Sequence, residues 1–214
     1  MKISIICSSK EHPVNNWIER WITENESSHS IELFRKSSEL SGGDILFIIS
    51  CSEKILKEPR ELFKKCLVLH ASDLPDGKGW SPHVWQILED KDQITLSLIE
   101  AKDEFDSGDI WKKSLLYIPK HFDFFEISEL LFMAEMKMLD FAIDNFKTIK
   151  TQKQQKMDSP RIYKKREPKD SELNPEKSIR EQFNLLRVSD PQNYPAFFNL
   201  YGHKYKILIE KDEK

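Results

Sequence analysis

The chain has 214 residues, of which 39% are hydrophobic and 32% are charged. This length allows one domain with a hydrophobic core plus a small appendage and excludes two full domains. Its formal net charge of −3 excludes an overall positive field that would attract nucleic acid or an anionic membrane surface. The amino terminus has the pattern of a strand rather than a signal peptide, and no run approaches the roughly 20 apolar residues of a membrane span. We therefore expect a soluble, cytoplasmic protein with no membrane partner.

Strand patterns alternate with helix patterns in the first part of the chain. Continuous apolar runs predict strands at 2–9, 30–36, 43–51 and 66–72, and helices are predicted at 13–25 and 58–65. Strands that are apolar on both faces and alternate with helices are typical of a parallel sheet covered on both sides. The predicted fold class is therefore α/β: a Rossmann-like, mostly parallel sheet with helices on both faces.

The later part of the chain predicts a few more elements of the same domain and then a small unit. A helix is expected at 81–89, with Ser81 as its N-cap and Pro82 just inside it, followed by strands at 93–101 and 109–118 and a long amphipathic helix at 125–149. Residues 150–177 are polar and contain three prolines, which is typical of a linker. A helix at 177–188 and strands at 196–201 and 204–210, joined through Gly202, complete the chain. We expect a catalytic domain over 1–150 and a linker with a small α+β subdomain over 151–214.

The stretch "HASDLPDGKGWSPHVW", residues 70–85, places His70 at the end of a buried strand and before a turn rich in glycine and proline. Ligands of open α/β sheets bind at the carboxyl ends of strands. In "LSLIEAKDEFDSGDI", Asp106 follows another strand, so the two side chains meet if the strand ends are neighbours. A carboxylate beside an imidazole fixes its tautomer and favours its charged form, as acid–base catalysis needs. The alternative is that His70 only bonds a backbone carbonyl and Asp106 only shapes a turn.

Other chemical motifs are absent. The sequence has no GxGxxG after the first strand, no GxxxxGK[ST] and no GxSxG, which argues against dinucleotide, P-loop and nucleophile-elbow sites. Its six histidines lack HxxxH or HExxH spacing, so no metal site is expected. Cys7, Cys51 and Cys66 have no CxxC spacing, and we expect free thiols in a reducing compartment.

Two blocks resemble the folate-dependent formyltransferases. "LVLHASDLPDGKGWSP" matches the strand and loop of that family that read Asn-x-His-x-Ser-Leu-Leu-Pro, and "EFDSGDI" supplies an Asp-x-Gly segment 36 residues after His70. "IYKKREPKDSEL" and "LLRVSDPQNYPAFF" are similar to the segments that follow the family's long helix. The resemblance covers roughly residues 40–210 and is closest to the sugar N-formyltransferases.

The resemblance implies an N-formyltransferase that uses 10-formyltetrahydrofolate as its formyl donor. The implied acceptor is a primary amine on a nucleotide-linked amino deoxysugar used for bacterial surface glycans. The balanced charge and the lack of a full C-terminal RNA-binding barrel argue against methionyl-tRNA and any other nucleic-acid partner. Apolar strands near the C-terminus suggest a homodimer. Alternatives are a formyltransferase acting on methionyl-tRNA or glycinamide ribonucleotide, and a catalytically silent folate- or partner-binding protein.

Roles for individual residues also follow from the resemblance. His70 is expected to be the catalytic base and acid, and Asp106 to orient it. The family's asparagine, which helps to hold the oxyanion, falls on Val68. Ser72 is a candidate to replace it, and a backbone amide or a bound water molecule is the alternative. The segment before His70 is short for a nucleotide-binding half. The expected folate-binding residues are Cys51, Ser52, Ile55, Leu56, Leu74 and Phe105. Lys78 and Trp80 are expected to bind the acceptor, and packing of the Trp80 ring onto the domain is the alternative.

Overall fold

A six-stranded sheet forms the centre of the computed structural model, which describes residues 1–212. The strands of the described residues, which include two separate two-stranded sheets, are β1 (Lys2–Ile6), β2 (Ser30–Phe34), β3 (Gly43–Ile48), β4 (Phe63–His70), β5 (Lys78–Gly79), β6 (Gln93–Glu100), β7 (Ile110–Tyr117), β8 (Ile162–Tyr163), β9 (Ala196–Leu200) and β10 (His203–Ile207). The central order is β2-β1-β3-β4-β6-β7. The first four of these strands pair in parallel, whereas β6 is antiparallel to β4 and β7 is antiparallel to β6. The predicted α/β class with a mostly parallel sheet is confirmed.

Apolar side chains cover both faces of this sheet. The helices are α1 (Val14–Asn25), α2 (Lys57–Glu61), α3 (Pro82–Leu88), α4 (Phe124–Asp144) and α5 (Ile179–Val188). Ile3 and Ile5 of β1 face a large core that includes Val14 of α1 and Leu131 of α4. Ile6 faces a smaller cluster beside α2, because alternate residues of a strand point to opposite faces. No helix within residues 1–212 is both long and apolar enough to span a membrane.

Several element boundaries differ from the prediction. The helix predicted at 58–65 ends at Glu61 because Phe63 and Cys66 are buried as part of β4. The helix predicted at 125–149 ends at Asp144, where the side-chain amide of Asn145 donates to the carbonyl of Phe141. The strands predicted at 66–72, 93–101, 109–118, 196–201 and 204–210 are confirmed in position but differ by a few residues at their ends.

Ser81 occupies the N-cap position of α3 and Pro82 lies just inside the helix, as predicted, but the Ser81 side chain does not cap the helix. Ser81 precedes Pro82 with a φ of 44°, a left-handed conformation, and its side chain makes no capping hydrogen bond. In that conformation the Ser81 hydroxyl does not reach the amide groups of the first helical turn, so the N-cap interaction expected from the sequence is lost.

The segment predicted as a linker, 150–177, packs on the main sheet domain. Gln152 forms a β-bridge with Ile110, and β8 pairs in parallel with β5 inside the glycine-rich loop that follows His70. Beyond it, α5 and the β9–β10 hairpin share a small core, and the hairpin turn contains Gly202, as predicted. The division at residue 150 remains a prediction, and positions 213 and 214 of the predicted C-terminal part lie outside the described residues.

Candidate active site

His70 is the last residue of β4 and is held from both ends of its ring. The residue is only 6% exposed. Its Nε2 atom lies 2.9 Å from the carbonyl oxygen of Gly77, and its Nδ1 atom lies 3.4 Å from Oδ1 of Asp106. Because a carbonyl oxygen only accepts hydrogen bonds, Nε2 carries a hydrogen in this arrangement. The two residues singled out in the sequence therefore meet.

Asp106 reaches His70 by a route that differs from the prediction. The sequence suggested that both residues follow strands whose carboxyl ends lie side by side. Because β6 runs antiparallel to β4, its last residue, Glu100, lies opposite Leu67 and not beside His70. The loop at 101–109 instead carries Asp106 to the histidine.

Main-chain contacts hold this loop in place. Oδ2 of Asp106 accepts a hydrogen bond of 2.9 Å from the amide of Gly79. The side chain of Gln154 donates to the carbonyls of Asp106 and Gly108, at 2.9 and 2.8 Å. A Cβ at Gly108 would lie 1.6 Å from the carbonyl oxygen of Glu100, so only glycine fits this close approach. The carboxylate is thus fixed by the backbone on one side and faces the imidazole on the other.

Val68 stands two residues before His70 on the same face of β4, because side chains alternate along a strand. It is half-buried and contacts two apolar clusters. One contains Ile55 and Cys51, and the other contains Leu74 together with Ile99 and Ile110. The position where the family has an asparagine therefore presents only methyl groups.

The residues expected to bind folate divide into a buried group and an exposed group. Ile55 is 6% exposed, and with the half-buried Cys51 it forms an apolar wall beside Val68. Burial raises the pKa of the Cys51 thiol, which agrees with a packing role. Leu74 is fully buried, so it supports this wall from behind.

The exposed group lies outside this wall. Leu56 and Phe105 are 57% and 62% exposed, and the Nζ atom of Lys54 lies 5.0 Å from the ring centroid of Phe105. Ser52 is exposed and its amide donates to Oγ of Ser8. These three side chains are therefore accessible to solvent.

Ser72 is a buried residue at the start of the loop that follows His70. The residue is 1% exposed, and its Oγ atom has no hydrogen-bond partner among residues 1–212. It lines a cavity of about 250 Å³ together with Gln86, Arg161 and Tyr163. A buried hydroxyl without a partner is costly, so this atom is available to bind a ligand or a water molecule.

The two residues expected to bind the acceptor lie on β5 and just after it. The Nζ atom of Lys78 forms an ion pair of 3.0 Å with Glu104. Trp80 is 42% exposed, and the Nζ atom of Lys165 lies 5.0 Å from its ring centroid. Trp80 therefore offers an accessible aromatic surface, whereas Lys78 already has an anionic partner.

Two ionisable groups with shifted pKa values were not singled out in the sequence. His83 is half-buried, and burial together with the charges of His12, His70 and Arg166 lowers its pKa to about 4. Glu135 of α4 is 7% exposed, its Oε2 atom has no partner among the described residues, and burial raises its pKa to about 8. His83 directly follows Pro82 in the motif after His70, so its position near the site could have been predicted. Glu135 lies within an amphipathic helix pattern, which does not distinguish it from the other residues of that helix.

A separate cleft of about 610 Å³ lies between α2, the start of β4 and the loop at 101–107. Its walls contain four lysines and Arg60, but carboxylates pair with these cations, as Glu100 does with Lys65 at 2.6 Å and Asp109 with Lys102 at 2.8 Å. His70 and Asp106 do not line it. In the part of the chain that the structure describes, no three histidine, cysteine or carboxylate side chains are placed to bind a metal ion.

No protein-family model matches the chain. It is 25% identical over 186 residues to the methionyl-tRNA formyltransferase of Clostridium acetobutylicum, covering 85% of this chain and 58% of that protein. It is 37% identical over 68 residues to the methionyl-tRNA formyltransferase of Buchnera aphidicola, covering 31% of this chain and 22% of that protein. The chain therefore spans little more than half the length of the first of these curated relatives.

Solved structures resemble the chain over its whole length. A methionyl-tRNA formyltransferase from Clostridium thermocellum has a TM-score of 0.80 at 23% identity, covering 100% of this chain and 94% of its own. A sugar N-formyltransferase from a Shewanella species has a TM-score of 0.74 at 16% identity, covering 100% and 99%. HypX from Aquifex aeolicus in complex with tetrahydrofolic acid has a TM-score of 0.76 at 19% identity, covering 98% and 37%. The chain has the formyltransferase fold, and the resemblance predicted from its motifs is confirmed.

Proposed function

We propose that this chain is an N-formyltransferase that uses 10-formyltetrahydrofolate to formylate the amine of a nucleotide-linked amino deoxysugar for bacterial surface glycans. The observation that carries the proposal is the contact between His70 and Asp106, which lie at matching positions of the family motif. The acceptor class is taken from the resemblance of the C-terminal motifs, and a sugar N-formyltransferase shares the fold over nearly the whole of both chains. We assign the chain to the cytoplasm, where both substrates would be made.

The apolar wall beside Val68 fits the flat ring system of a folate. Ile55 and Cys51 form one side of this wall. The exposed Leu56, next to Ile55 in the chain, and Phe105 are proposed to extend it. The co-substrate would supply the formyl group, and its N10 nitrogen would receive a proton when its bond to the formyl carbon breaks. A related structure, HypX, binds tetrahydrofolic acid.

His70 would move that proton. The acceptor amine must lose a proton as its nitrogen forms a bond with the formyl carbon, and the same proton balances the departing nitrogen of the folate. The Nε2 atom of His70 is held by the neutral carbonyl of Gly77, whereas Nδ1 faces the charged carboxylate of Asp106. A charge-assisted contact is the stronger of the two, so the ring hydrogen would move to Nδ1 beside Asp106 when the substrate displaces the Gly77 carbonyl. Nε2, then without a hydrogen, would take the proton of the amine and pass it to N10 of the folate. Asp106 then orients the ring and stabilises its charged form.

The site lacks the side-chain donor with which the family stabilises the oxyanion. Removing one such donor typically costs on the order of 10²–10³ in rate, and Val68 has no donor to offer. We propose that Ser72, two residues after His70, supplies the missing hydrogen bond, since its Oγ atom has no partner among the described residues. The cavity that Ser72 lines does not include His70 or Asp106, so its hydroxyl would have to turn toward them. A backbone amide or a bound water molecule is the alternative donor.

Trp80 and Lys78 are proposed to bind the acceptor. The accessible face of Trp80 suits stacking on a sugar or a base. Lys78 would have to exchange its ion pair with Glu104 for a phosphate of the substrate. The exposed Tyr201 and Tyr205 on and beside the β9–β10 hairpin support a homodimer through this region, which sedimentation analysis would test.

Two other functions are favoured by specific observations. The curated relative that covers 85% of the chain is a methionyl-tRNA formyltransferase, which favours a tRNA acceptor. The apolar side chain of Val68 at the asparagine position favours a catalytically silent protein that binds folate.

A panel assay separates these functions. The purified chain is incubated with 10-formyltetrahydrofolate and with nucleotide-linked amino sugars, methionyl-tRNA or glycinamide ribonucleotide, and the formylated product is detected by mass spectrometry. We expect product from an amino sugar with the wild-type chain and none with His70→Ala. Formylation of methionyl-tRNA alone would overturn the acceptor assignment. Folate binding without transfer to any amine would support the silent protein.

A further inference from the structure

One short segment of the loop that follows His70 touches both side chains of the candidate site. The carbonyl of Gly77 contacts His70, and the amide of Gly79 donates to Asp106. The relative positions of the imidazole and the carboxylate therefore depend on where residues 77–79 lie.

The opposite side of this segment is held by the C-terminal part of the chain. The amide of Lys78 donates to the carbonyl of Arg161, and the amide of Trp80 donates to the carbonyl of Tyr163, both at 3.0 Å. A Cβ at Gly79 would lie 2.2 Å from the carbonyl oxygen of Tyr163, and Gly79 has a φ of 101°. Glycine is therefore required for β5 to approach β8 this closely.

Arg161 ties the two segments together with its side chain. Its amide and its Nε atom donate to the two carboxylate oxygens of Asp76, at 2.8 and 2.9 Å, and a second guanidinium nitrogen also contacts Asp76. The remaining guanidinium nitrogen contacts Glu89 after α3 at 2.9 Å. Both guanidinium nitrogens contact the same oxygen, Oδ2, while the main-chain amide of Arg161 bonds Oδ1, so both carboxylate oxygens of Asp76 are held. The Arg161 contact also lowers the pKa of Asp76, which keeps the carboxylate charged.

We infer that Arg161 is a positioning residue, which acts through Asp76 and the main chain of residues 77–79 to keep the side chains of His70 and Asp106 in contact. This inference rests on the proposed function. It makes the C-terminal segment a part of the active site that does not itself touch the substrate.

The exposure of the Asp76–Arg161 pair separates a positioning role from a stabilising one. The side chains are 24% and 48% exposed. Exposed ion pairs contribute little to the free energy of unfolding. Small displacements of catalytic groups, by contrast, can lower rates about 100-fold. Loss of the pair should therefore affect turnover far more than the unfolding temperature.

The test uses Arg161→Gln, Asp76→Asn and the double variant of the full chain. Arg20→Gln is the matched control, because Arg20 forms a single exposed ion pair with Glu24 on α1. We expect kcat/KM to fall about 10- to 100-fold in each single variant and no further in the double variant, because the two residues act as a unit. The unfolding temperature should stay close to that of the control.

A second readout does not depend on activity. In the unliganded protein, the NMR signal of the His70 Nε2 hydrogen should exchange with solvent faster in Arg161→Gln and Asp76→Asn than in Arg20→Gln. Unchanged exchange and unchanged turnover would overturn the inference, as would independent, multiplicative losses in the double variant. If no acceptor is formylated by the wild-type chain, the proposed function fails, but the exchange measurement still decides the positioning role. If Arg161→Gln fails to fold, the isosteric Asp76→Asn carries the test.

Discussion

The carboxylate of Asp106 lies 3.4 Å from Nδ1 of His70, although the strand that precedes Asp106 runs antiparallel to the strand that ends at His70. The contact depends on a loop that two outside groups hold: the amide of Gly79 bonds the Asp106 carboxylate, and the side chain of Gln154 bonds the Asp106 carbonyl. A carboxylate held in this way can fix the tautomer of the imidazole without moving during the reaction.

Asp106→Asn tests this contact. The amide keeps an oxygen that can accept from Gly79, so we expect the fold to persist, but the charge that stabilises a protonated imidazole is lost. The rate of formyl transfer should fall by about 10²–10⁴, the usual contribution of an acid–base group. Steady-state kinetics together with circular dichroism measure both effects. Wild-type turnover in a folded variant would exclude a role for Asp106 in the reaction.

Val68→Asn would restore the donor that the family has at this position. If the missing amide limits the rate, turnover should rise, by up to about 100-fold. Val68→Ala is the control, since it also disturbs the packing against Ile55 and Leu74 but adds no donor. Equal turnover in both variants would show that another group already fills the role.

Ser72→Ala addresses the group that we propose for that role. Because the Oγ atom has no partner in the described chain, its removal should leave stability unchanged or slightly improved. Turnover should nevertheless fall, and kcat should change more than KM. Undiminished turnover would remove Ser72 from the mechanism and leave a backbone amide or a bound water molecule as the donor.

Glu135 should make the stability of the fold depend on pH. Burial raises the pKa of its carboxyl to about 8, whereas the unfolded chain has a value near 4.3. Between these values the folded state keeps a proton that the unfolded state loses, so the free energy of unfolding decreases as the pH rises. The full contribution is present below about pH 4.3 and is lost by about pH 8.

Glu135→Gln removes this titration. The free energy of unfolding of Glu135→Gln minus that of the wild type, measured by urea denaturation, should increase between pH 5 and pH 8. Glu129→Gln, at an exposed position of the same helix, is the control and should show no such trend. A constant difference between Glu135→Gln and the wild type would mean that Glu135 is ionised in the folded protein throughout this range.

The sequence was sufficient to predict the parallel part of the sheet. The strands around Ile5, Phe47 and Leu67 are continuous apolar runs, and burial on both faces demands that pattern. The direction in which β6 pairs with β4 has no local signature, because the alternation of apolar side chains is the same in either direction. The meeting of His70 and Asp106 was therefore predicted correctly from spacing and motif, but through the wrong geometry.

Other parts of the site left no readable pattern. β5 and β8 are two residues long, too short for any periodicity, so their pairing could not be predicted. The roles of Gly77 and Gly79 depend on backbone atoms, which the identity of neighbouring side chains does not reveal. Arg161 lies in a polar stretch typical of a linker, and only the fold brings it to Asp76.

The most direct test of the central claim compares the wild-type chain with His70→Ala in the presence of 10-formyltetrahydrofolate and a nucleotide-linked amino sugar. The release of tetrahydrofolate and the appearance of the N-formylated sugar are followed together over time. The account predicts that both rise in equal amounts with the wild-type chain and that neither rises with His70→Ala. Equal rates of product formation in the two proteins would contradict it.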